Sequence, residues 1–535
     1  MSKNNIIINQ IGYLPNQKKL VLFKEGNIGE GFAVVRVEDE KVVYRGKIEK
    51  KLYSEAAKEE VYIGEFSQLE AEASYKVINE RNEKSYPFMI KEQIYKEQFK
   101  DLVRFFYMQR CGEEIPQSYG GKWAHPTCHL GLGRIYGTQQ KIDVSGGWHD
   151  AGDYGRYTVA TSKAVADLLL AYEANPKAFN IDFNVPRREK EMPYILEEIK
   201  RQLIWLFKMQ NPNNGGVYHK VTCAKFPSYN CMPQDEKEEL IVCPISTAAT
   251  GTFTAVMAMA YDVYKAIDKE LSKNCLKAAK KAWEYLMNAP ESNFRNPQGI
   301  ITGEYGGKSD LEERYWAAAE LFRVTGELEF DKVAKSYAVK DDLMFAYGWS
   351  AVGAYGDKAY LRAECADWQV GQIIKDRIIE RAKCLLKAAK QDGYGIEPSS
   401  KMYIWGSNMY ISMLAVFLQD AYEIEQNETY LEQARRYMDY CFGMNPLNLC
   451  YITGHGSHYP KHLHHRPSIA QKENIPGMLA GGASAYLADP IAKRQLQGVP
   501  AAKCYLDHEE SYGTNESDIY WNSMIVYALA RLDVV

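Results

Sequence analysis

The sequence predicts two kinds of structure in one chain, a small β-sandwich followed by a large helical toroid. Before residue 93, seven short apolar or β-branched runs are separated by polar or glycine-containing turns. From Glu97 onward, roughly a dozen segments show helical periodicity instead. No fixed-period sequence repeat accompanies these helices, which disfavours a solenoid.

The strand-like runs are short and closely spaced, as is typical of a small sandwich. They are Ile6–Ile8, Leu20–Phe23, Phe32–Val37, Val42–Tyr44, Val61–Ile63, Tyr75–Ile78 and Tyr86–Ile90. We therefore predict one domain over residues 1–93 and a second, helical domain over residues 97–535.

The helical segments carry apolar residues at helical spacing. In Pro193–Gln210 they fall on one broad face: Ile195, Leu196, Ile199, Leu203, Leu206 and Phe207. Long loops rich in glycine, proline, histidine and aromatic residues separate many of the segments. Because binding residues concentrate on such loops, we expect the functional site at one end of the toroid.

Composition narrows the classes of partner. The chain of 535 residues is 46% hydrophobic and 25% charged, with a formal net charge of −4, which argues against nucleic acid and anionic membranes as partners. No run approaches the ~18 apolar residues of a membrane span. Aromatic residues make up 12% of the chain, with 39 Tyr and 9 Trp. They suit stacking on sugar rings as well as ordinary core packing.

The first residues contain neither a long apolar segment nor a small-residue cleavage site, so no secretory signal is predicted. The eleven cysteines are odd in number and scattered, which favours reduced thiols in a cytoplasmic protein. A secreted mature form with its signal removed has the same features. The oligomeric state is not readable from the sequence.

The segment Asp143–Tyr157 is the strongest chemical motif. Asp150 and Asp153 lie three residues apart in a glycine-rich loop before a helix, where sharp turns let both carboxylates converge. Two adjacent carboxylates can hold and deprotonate a water molecule, which is the work of a general base. A solvated turn with a helix cap is the alternative. The large rings of Trp148 and Tyr154 nearby argue against it.

A second motif, Asp507–Glu516, precedes a helix predicted to begin near Ser517. Glu516 is a candidate acid, although a carboxylate at a helix start is commonly there for the helix dipole, which lowers its pKa. A catalytic Glu516 therefore requires burial or neighbouring carboxylates to raise its pKa. Asp150 and Asp153 are the candidates for that repulsion.

A third motif is the loop Lys461–Pro467, in which three imidazoles and the guanidinium of Arg466 can donate hydrogen bonds to sugar hydroxyls. The same loop is compatible with metal binding or with a plain basic surface. Trp405, just before another predicted helix, is a candidate platform for a sugar ring or a structural tryptophan.

A fourth set combines thiols with imidazoles. Cys111, Cys128 and His129, with His125 and His149 as further candidates, suit a tetrahedral zinc ion. The thiols do not form a C-x-x-C pair, so ordinary buried cysteines are the alternative. Four protein ligands would make the zinc structural, whereas a catalytic zinc needs an open position.

Together these motifs resemble glycoside hydrolase family 9. The matching segments follow the family's order: Ser145–Tyr157, Gly215–Thr222, Trp316–Leu321, Trp405–Asn408, His464–Arg466 and Tyr512–Glu516. They span essentially all of residues 97–535. The strand-rich N-terminus with Asn9–Tyr13 resembles the immunoglobulin-like domain of one branch. The resemblance implies a mainly α fold, an (α/α)6 barrel with an open cleft, preceded by an immunoglobulin-like β-sandwich.

The resemblance also implies roles for individual residues. Asp153 is expected to be the general base, Asp150 to help hold the attacking water, and Glu516 to protonate the departing oxygen. Expected sugar-binding residues are His219, Trp405, His464, Arg466 and Tyr512. The implied reaction is inverting hydrolysis of β-1,4-glucosidic bonds in cello-oligosaccharides or soluble β-glucans, with acid and base roughly 6.5–9.5 Å apart.

The same resemblance bears on two metals, zinc and calcium. A structural zinc in this branch is held at positions that correspond to Cys111, Cys128, His129 and His149. Zinc at His149 would brace the loop that carries Asp150 and Asp153. Many members also bind calcium near an Asp-Glu pair. This chain has Glu312 and Glu313 there, so calcium is left open.

Three other functions remain alternatives. An exo-β-glucosaminidase acting on chitosan oligomers belongs to the same family, although the loop around Asp153 is more similar to the glucanase branch. A non-catalytic carbohydrate-binding protein would not need the three carboxylates, all of which are present. A zinc-dependent hydrolase would lose activity with its metal and would not depend on Glu516.

Overall fold

The computed structural model describes residues 4–397 and 399–532, so the outermost ends of the predicted domains, residues 1–3 and 533–535, lie outside the described residues. The strands are β1 (Ile6–Ile7), β2 (Gly12–Tyr13), β3 (Leu20–Phe23), β4 (Gly31–Arg36), β5 (Val42–Ser54), β6 (Glu59–Glu65), β7 (Ala73–Asn79), β8 (Phe88–Ile90), β9 (Leu132–Ile135), β10 (Lys141–Asp143), β11 (Arg156–Tyr157), β12 (Lys220–Thr222) and β13 (Ile241–Val242).

The helices are α1 (Lys96–Met108), α2 (Gln117–Gly120), α3 (Thr158–Ala174), α4 (Tyr194–Met209), α5 (Thr247–Tyr264), α6 (Lys269–Asn288), α7 (Leu311–Thr325), α8 (Leu328–Ala338), α9 (Gly353–Leu361), α10 (Trp368–Ala389), α11 (Ser407–Glu425), α12 (Glu428–Cys441), α13 (Arg466–Gln471), α14 (Pro490–Gln495), α15 (Tyr512–Asn515) and α16 (Ile519–Ala530). Short 3-10 helices lie at Gly121–Trp123, Pro176–Phe179, Pro233–Asp235, Ser400–Met402 and Ala501–Lys503.

The first eight strands form the predicted β-sandwich. Their order is β1-β3-β6-β5-β4-β7-β8-β2, antiparallel throughout except for the parallel pair β2 and β8. The long strand β5 connects the two layers, because its first half pairs with β4 and its second half with β6. It passes from one partner to the other between Lys47 and Ile48, and a register shift in its pairing with β6 follows between Ile48 and Lys50.

All seven predicted runs contribute to strands, and three features were missed. Strand β2 has only two residues, and the C-terminal half of β5 is rich in charged residues, so neither has a hydrophobic pattern to detect. A second sheet, in the order β10-β9-β13-β12-β11, lies among the helices. Its strands have two to four residues each, which is too short for a readable period.

The predicted helical region is confirmed, and its helices differ in how much of their surface is buried. Predicted over Pro193–Gln210, α4 spans Tyr194–Met209 and buries one face. By contrast, every residue of α3 from Thr158 to Ala171 and of α5 from Thr247 to Ala260 is buried. A helix that is buried all round belongs to the interior of a domain. Helices α3, α5, α7 and α9 contact one another in that order.

The chain divides into two compact units. The first contains the residues up to Phe105, Ile378–Ser517 and the residues from Ala528 onward; the second contains Phe106–Arg377 and Asp518–Tyr527. These units combine segments that are distant in sequence, and they are not the predicted division at residues 93 and 97, which stays a prediction. Within the described residues, no helix has both the length and the apolar character needed to cross a bilayer.

In the second unit, a buried carboxylate on α4 ties three segments together. Glu198 accepts hydrogen bonds from Arg110 Nε (3.0 Å), Trp148 Nε1 (2.9 Å) and the hydroxyl of Tyr194 (3.0 Å). Burial by itself raises the pKa of Glu198, but the Arg110 guanidinium outweighs it and holds the pKa below its ordinary value. Trp148 belongs to the loop that carries Asp150, so this charge pair anchors one side of that loop.

Replacing Glu198 by glutamine should strongly destabilise the protein, because the buried Arg110 loses its counter-charge. We expect the free energy of unfolding, measured by urea titration at neutral pH, to fall by about 3–5 kcal/mol. The folded-state pKa of Glu198 is depressed, so its contribution is present at neutral pH and is lost as the pH falls into the acidic range.

Glu60→Gln is the matched control, because Glu60 forms an exposed ion pair with Lys51 at 2.8 Å. Such a pair contributes little to stability, so the control should unfold like the wild type. Equal stability of the two variants at neutral pH would contradict the anchoring role of Glu198.

Candidate active site

The loop between β10 and α3 carries the two predicted base residues. Its backbone closes on itself, because the amide of Asp150 donates to the carbonyl of Gly155 at 3.0 Å. The carbonyl of Asp150 accepts from the amide of Ile519 at 3.0 Å, which ties the loop to the start of α16. Gly147 has a φ of +89°, and a Cβ there would lie 3.0 Å from the Trp205 ring, so only glycine fits.

Asp150 and Asp153 are both nearly inaccessible, with exposed fractions of 1% and 7%. Burying a carboxylate is unfavourable unless donors replace water. For Asp153 the donors are the amide of Gly155 (2.8 Å) and the hydroxyl of Tyr157 (3.3 Å), and both reach Oδ2. Burial, reinforced by the charges of Asp153 and Asp150, raises the pKa of Tyr157 well above its ordinary value, so this phenol stays a donor.

The donor for Asp150 is a tyrosine that the sequence analysis did not single out. The hydroxyl of Tyr305 lies 2.6 Å from Asp150 Oδ2 and 3.0 Å from Asp518 Oδ2. Its ring packs against those of Tyr157 and Trp349, with centroids 4.7 and 5.1 Å away. Tyr305 also has a φ of +51°, a conformation that side chains rarely adopt and that is concentrated at functional sites.

His219, a predicted sugar-binding residue, is fully buried. Its Nδ1 lies 2.8 Å from Ser246 Oγ and its Nε2 lies 3.1 Å from the carbonyl oxygen of Glu304. The ring stacks on Phe294 at a centroid distance of 3.7 Å, and burial lowers the pKa of His219 to about 3. These contacts make His219 a support for the backbone next to Tyr305, and its contact with sugar stays a prediction.

The four predicted metal ligands come together beside the loop. Ligand atoms of Cys111, Cys128, His129 and His149 all lie within 4.8 Å of one another. His149 Nε2 is 3.8 Å from Cys128 Sγ and 3.4 Å from His129 Nδ1. A tetrahedral ion with metal–nitrogen bonds of about 2.0–2.1 Å separates two nitrogen ligands by about 3.4 Å, so the spacing fits such an ion.

Groups around this cluster hold it in place. His129 Nε2 lies 2.9 Å from Glu236 Oε2, the arrangement that orients a metal-binding imidazole. The backbone amide of His149 donates to the carbonyl of Gln109 at 2.8 Å, and Gln109 Nε2 donates to the carbonyls of His149 and Ala151. His125, the further candidate, directs its Nδ1 to the carbonyl of Pro126 at 2.7 Å and is not part of the cluster.

Glu516 and most predicted sugar-binding residues lie in the other compact unit. Glu516 directly follows α15 in extended conformation and is half-buried. Its segment is held on both sides, because His464 N donates to the carbonyl of Asn515 (2.9 Å) and Gly481 N donates to the carbonyl of Glu516 (2.8 Å). These backbone bonds bring His464 beside Glu516.

Three rings form a row next to this segment. Trp405 and Tyr512 have centroids 5.4 Å apart, and Tyr512 and His464 have centroids 5.9 Å apart. Trp405 keeps 43% of its surface exposed, as a stacking platform requires. Arg466 is buried at the first position of α13, and the side chain of His465 caps that helix.

The protonation state of His464 follows from its surroundings. Its Nδ1 lies 2.6 Å from the carbonyl oxygen of Glu509, so Nδ1 carries the hydrogen. Burial lowers the pKa of His464 to about 4, so the ring is neutral at physiological pH. Nε2 is then an acceptor, suited to a donating sugar hydroxyl.

Glu312 and Glu313, the candidate calcium ligands, lie in the first turn of α7. Glu312 accepts from the backbone amides of Met344 (2.7 Å) and Gly353 (3.0 Å), so its carboxylate already binds the following loop. Glu313 is buried, and burial raises its pKa well above the ordinary value, reinforced by Glu312. Calcium at this place stays a prediction.

Comparison with known proteins identifies the family. The model of glycosyl hydrolase family 9 matches residues 95–529, and that of the cellulase N-terminal Ig-like domain matches residues 1–84. The chain belongs to glycosyl hydrolase family 9. It is therefore a glycoside hydrolase.

Relatives and solved structures agree with this assignment. The cellodextrinase of Butyrivibrio fibrisolvens is 34% identical, over 98% of this chain and 99% of that protein. The structure of AaCel9A in complex with cellobiose-like isofagomine has a TM-score of 0.95 and 36% identity, covering 99% of this chain and 100% of that one. A Zn-binding triple mutant of the family 9 endoglucanase J30 has a TM-score of 0.92 and 31% identity, covering 97% and 99%. The predicted fold class is confirmed.

Sequence reasoning missed two polar residues of this family 9 chain, Tyr305 and Asp518. Tyr305 stands in the loop Gly303–Gly307, where a tyrosine between glycines was the available signal. Asp518 is two residues after Glu516, at the start of α16, and has the pattern of an ordinary helix cap. Tyr305 meets Asp150, and Asp518 meets Tyr305, only in the folded chain.

The buried, neutral His464 should make stability pH-dependent. Its folded-state pKa of about 4 lies below an unfolded value near 6.5. Between these two values the unfolded chain binds the proton more strongly, so stability decreases as the pH is lowered. This difference in pKa between the folded and unfolded states corresponds to a change of about 3 kcal/mol in the free energy of unfolding. Between pH 7 and pH 4, the free energy of unfolding of the wild type should decrease because of His464. In His464→Gln this decrease should be smaller by about 3 kcal/mol.

His462→Gln removes an exposed imidazole two residues away and is the matched control. It should keep the pH dependence of the wild type. If the unfolding free energies of His464→Gln and His462→Gln have the same pH dependence, the assignment of a buried, neutral imidazole to His464 is wrong.

Proposed function

We propose that this family 9 hydrolase cleaves β-1,4-glucosidic bonds in cello-oligosaccharides or soluble β-glucans with inversion at the anomeric carbon. Asp153 is the general base, Asp150 helps hold the attacking water, and Glu516 is the general acid. The similarity to a cellodextrinase over nearly the whole of both chains supports the substrate class. The geometry of Asp153 supports the reaction.

The observation that carries this proposal is the asymmetry of the Asp153 carboxylate. Among the described residues, both hydrogen bonds to it reach Oδ2, from Gly155 N and the Tyr157 hydroxyl. Oδ1 is thereby left to accept a proton from water. A base held on one oxygen and open on the other is oriented before the substrate arrives.

Asp150 supports the same water from a fixed position. Its Oδ2 accepts from Tyr305, and its own backbone is tied to Gly155 and Ile519. A second carboxylate oxygen near the base can accept the other hydrogen of the water, which orients its lone pair for attack.

Glu516 supplies the proton to the departing oxygen. Its half-buried side chain and its rigid backbone suit a donor that must keep its position. Trp405 and Tyr512 offer ring faces to sugar, and neutral His464 offers an acceptor through Nε2. With Arg466, these residues are the proposed sugar-binding set.

We further propose that the cluster of Cys111, Cys128, His129 and His149 holds a structural zinc. Two thiolates and two imidazoles fill a tetrahedral shell, so no position remains for substrate. His149 directly precedes Asp150 in the chain, so the bound metal would hold that end of the loop. The similarity to a Zn-binding mutant of the endoglucanase J30 supports zinc as the metal.

The reaction is tested by incubating the enzyme with cellobiose through cellohexaose, chitosan oligomers and carboxymethylcellulose. We expect cello-oligosaccharides of three or more units to be cleaved and the first product to be the α-anomer, followed by proton NMR before mutarotation. A β-anomer would exclude inversion. Exclusive cleavage of chitosan oligomers would replace the proposed substrate by glucosamine oligomers.

The assigned carboxylates are tested by Asp153→Asn and Glu516→Gln. Each removes one proton-transfer group, so kcat/KM on cellotetraose should fall by about 10²–10⁴-fold. Glu510→Gln, which changes an exposed glutamate six residues before Glu516, is the control and should keep full activity. Full turnover by Glu516→Gln would refute the assigned acid.

Zinc removal tests the structural role of the metal. We expect one zinc per chain and, after chelation, faster hydrogen exchange in residues 143–157 and a lower free energy of unfolding, both restored by zinc. Cys128→Ser should behave like the chelated protein, whereas Cys365→Ser, at an exposed cysteine, should not. Unchanged exchange in this loop without metal would contradict a bracing role.

A further inference from the structure

The hydroxyl of Tyr305 lies between two carboxyl groups, but it has only one hydrogen to donate to them. It is 2.6 Å from Asp150 Oδ2 and 3.0 Å from Asp518 Oδ2, both within hydrogen-bonding distance. A phenol has one hydrogen and can donate to only one of them. If both carboxylates were ionised, one contact would place a phenol lone pair against an anionic oxygen. One carboxyl group must therefore donate to the phenol.

The surroundings identify Asp518 as that donor. Asp518 is 2% exposed. Its contact with the Tyr305 hydroxyl, at 3.0 Å, is longer than that of Asp150, at 2.6 Å. Its Oδ1 accepts from the amide of Tyr520 at 3.1 Å, which leaves Oδ2, the oxygen facing Tyr305, to carry a hydrogen. Asp150 makes the shorter contact, as expected for the oxygen that receives the phenol hydrogen.

The charges around Asp518 agree with this assignment. Burial raises its pKa well above the ordinary value, and the nearby charge of Asp153 raises it further. The amide of Tyr520 and the hydroxyl of Tyr305 act in the opposite direction, as does Lys163 on α3. Lys163, however, is paired with Asp167 at 2.6 Å, so its charge is already compensated.

We propose that Asp518 is a positioning residue that stays neutral and donates its hydrogen to Tyr305, which directs the single hydrogen of Tyr305 to Asp150. This inference rests on the proposed function, in which Asp150 helps hold the attacking water. The chain of donors runs from Asp518 Oδ2 to the Tyr305 hydroxyl and on to Asp150 Oδ2. A neutral Asp518 also avoids placing a third negative charge beside Asp150 and Asp153.

The simplest alternative is that Asp518 only caps α16. Its Oδ1 contact with the amide of Tyr520, in the first turn of that helix, is a capping bond. Capping and positioning use different oxygens of the carboxyl group, so two substitutions separate them. Asparagine retains both the acceptor and a donor directed at Tyr305. Serine retains a capping oxygen but is too short to reach Tyr305.

The experiment compares Asp518→Asn and Asp518→Ser in the full-length enzyme, with hydrolysis of cellotetraose as the assay. Asparagine and serine are both good N-cap residues, as aspartate is. The free energy of unfolding of both variants should therefore be close to that of the wild type. We expect Asp518→Asn to keep kcat/KM within about twofold of wild type and Asp518→Ser to lose about tenfold or more, because a hydrogen bond ending on a charged group is lost.

Tyr305→Phe tests whether the effect passes through the phenol. In the Tyr305→Phe background, Asp518→Asn and Asp518→Ser should have equal kcat/KM, because the group that Asp518 positions is gone. A difference of tenfold persisting in that background would overturn the inference. Equal activity of the Asp518→Asn and Asp518→Ser enzymes with Tyr305 in place would reduce Asp518 to a helix cap and also overturn it.

The charge state of Asp518 is tested by the pH profile. If Asp518 is neutral, Asp518→Asn changes no charge near Asp153, and the acidic limb of kcat/KM stays in place. If Asp518 is ionised, its replacement removes a repelling charge and moves that limb to lower pH by about half a unit or more. Such a shift would refute the neutral state.

An infrared difference spectrum separates this inference from the proposed function. At neutral pH, the spectrum of the wild type minus that of Asp518→Asn should contain the carbonyl stretch of one protonated carboxylic acid, whatever the enzyme hydrolyses. Absence of that band refutes the inference and leaves the proposed hydrolysis intact. Its presence in a protein that does not cleave cello-oligosaccharides supports the neutral Asp518 and refutes the proposed function.

Discussion

The loop between β10 and α3 must hold two carboxylates, Asp150 and Asp153, almost out of contact with water. Ionised groups in such a place are stable only if donors replace the lost solvent. The chain supplies these donors from the loop itself, through Gly155 N and the Tyr157 hydroxyl, and from a distant segment through Tyr305. Much of the surrounding structure serves to keep those donors aligned.

The loop is held from several directions within its compact unit. Glu198 anchors Trp148, the cluster of thiols and imidazoles includes His149, and the amide of Ile519 binds the carbonyl of Asp150. Because these contacts reach three neighbouring residues, the carboxylates cannot shift without breaking a buried charge pair or that cluster. Preorganisation of this kind lowers the cost of binding and activating water at the moment of reaction. In the proposed function, this arrangement provides the hydrolase with a rigid base on one loop.

Most of the fold was predictable because it depends on local patterns. The period of apolar residues identified α4 to within one residue at each end, and alternating runs identified seven strands. The sheet β9–β13 was not predictable, because strands of two to four residues are stabilised by their partners and not by their own sequence. The compact units also combine distant segments, which local patterns do not reveal.

By itself, the sequence determined the candidate residues of the proposed chemistry: Asp150, Asp153 and Glu516, with four thiols and imidazoles as candidate metal ligands, all in motifs whose spacing is read directly. Only the tertiary structure decided how they are supported. Tyr305 and Asp518 stand 155 and 368 positions from Asp150 in the numbering, yet the Tyr305 hydroxyl lies within hydrogen-bonding distance of both carboxyl groups. The physical reason is that a hydrogen bond depends on the separation of two atoms in space, which no local sequence pattern specifies.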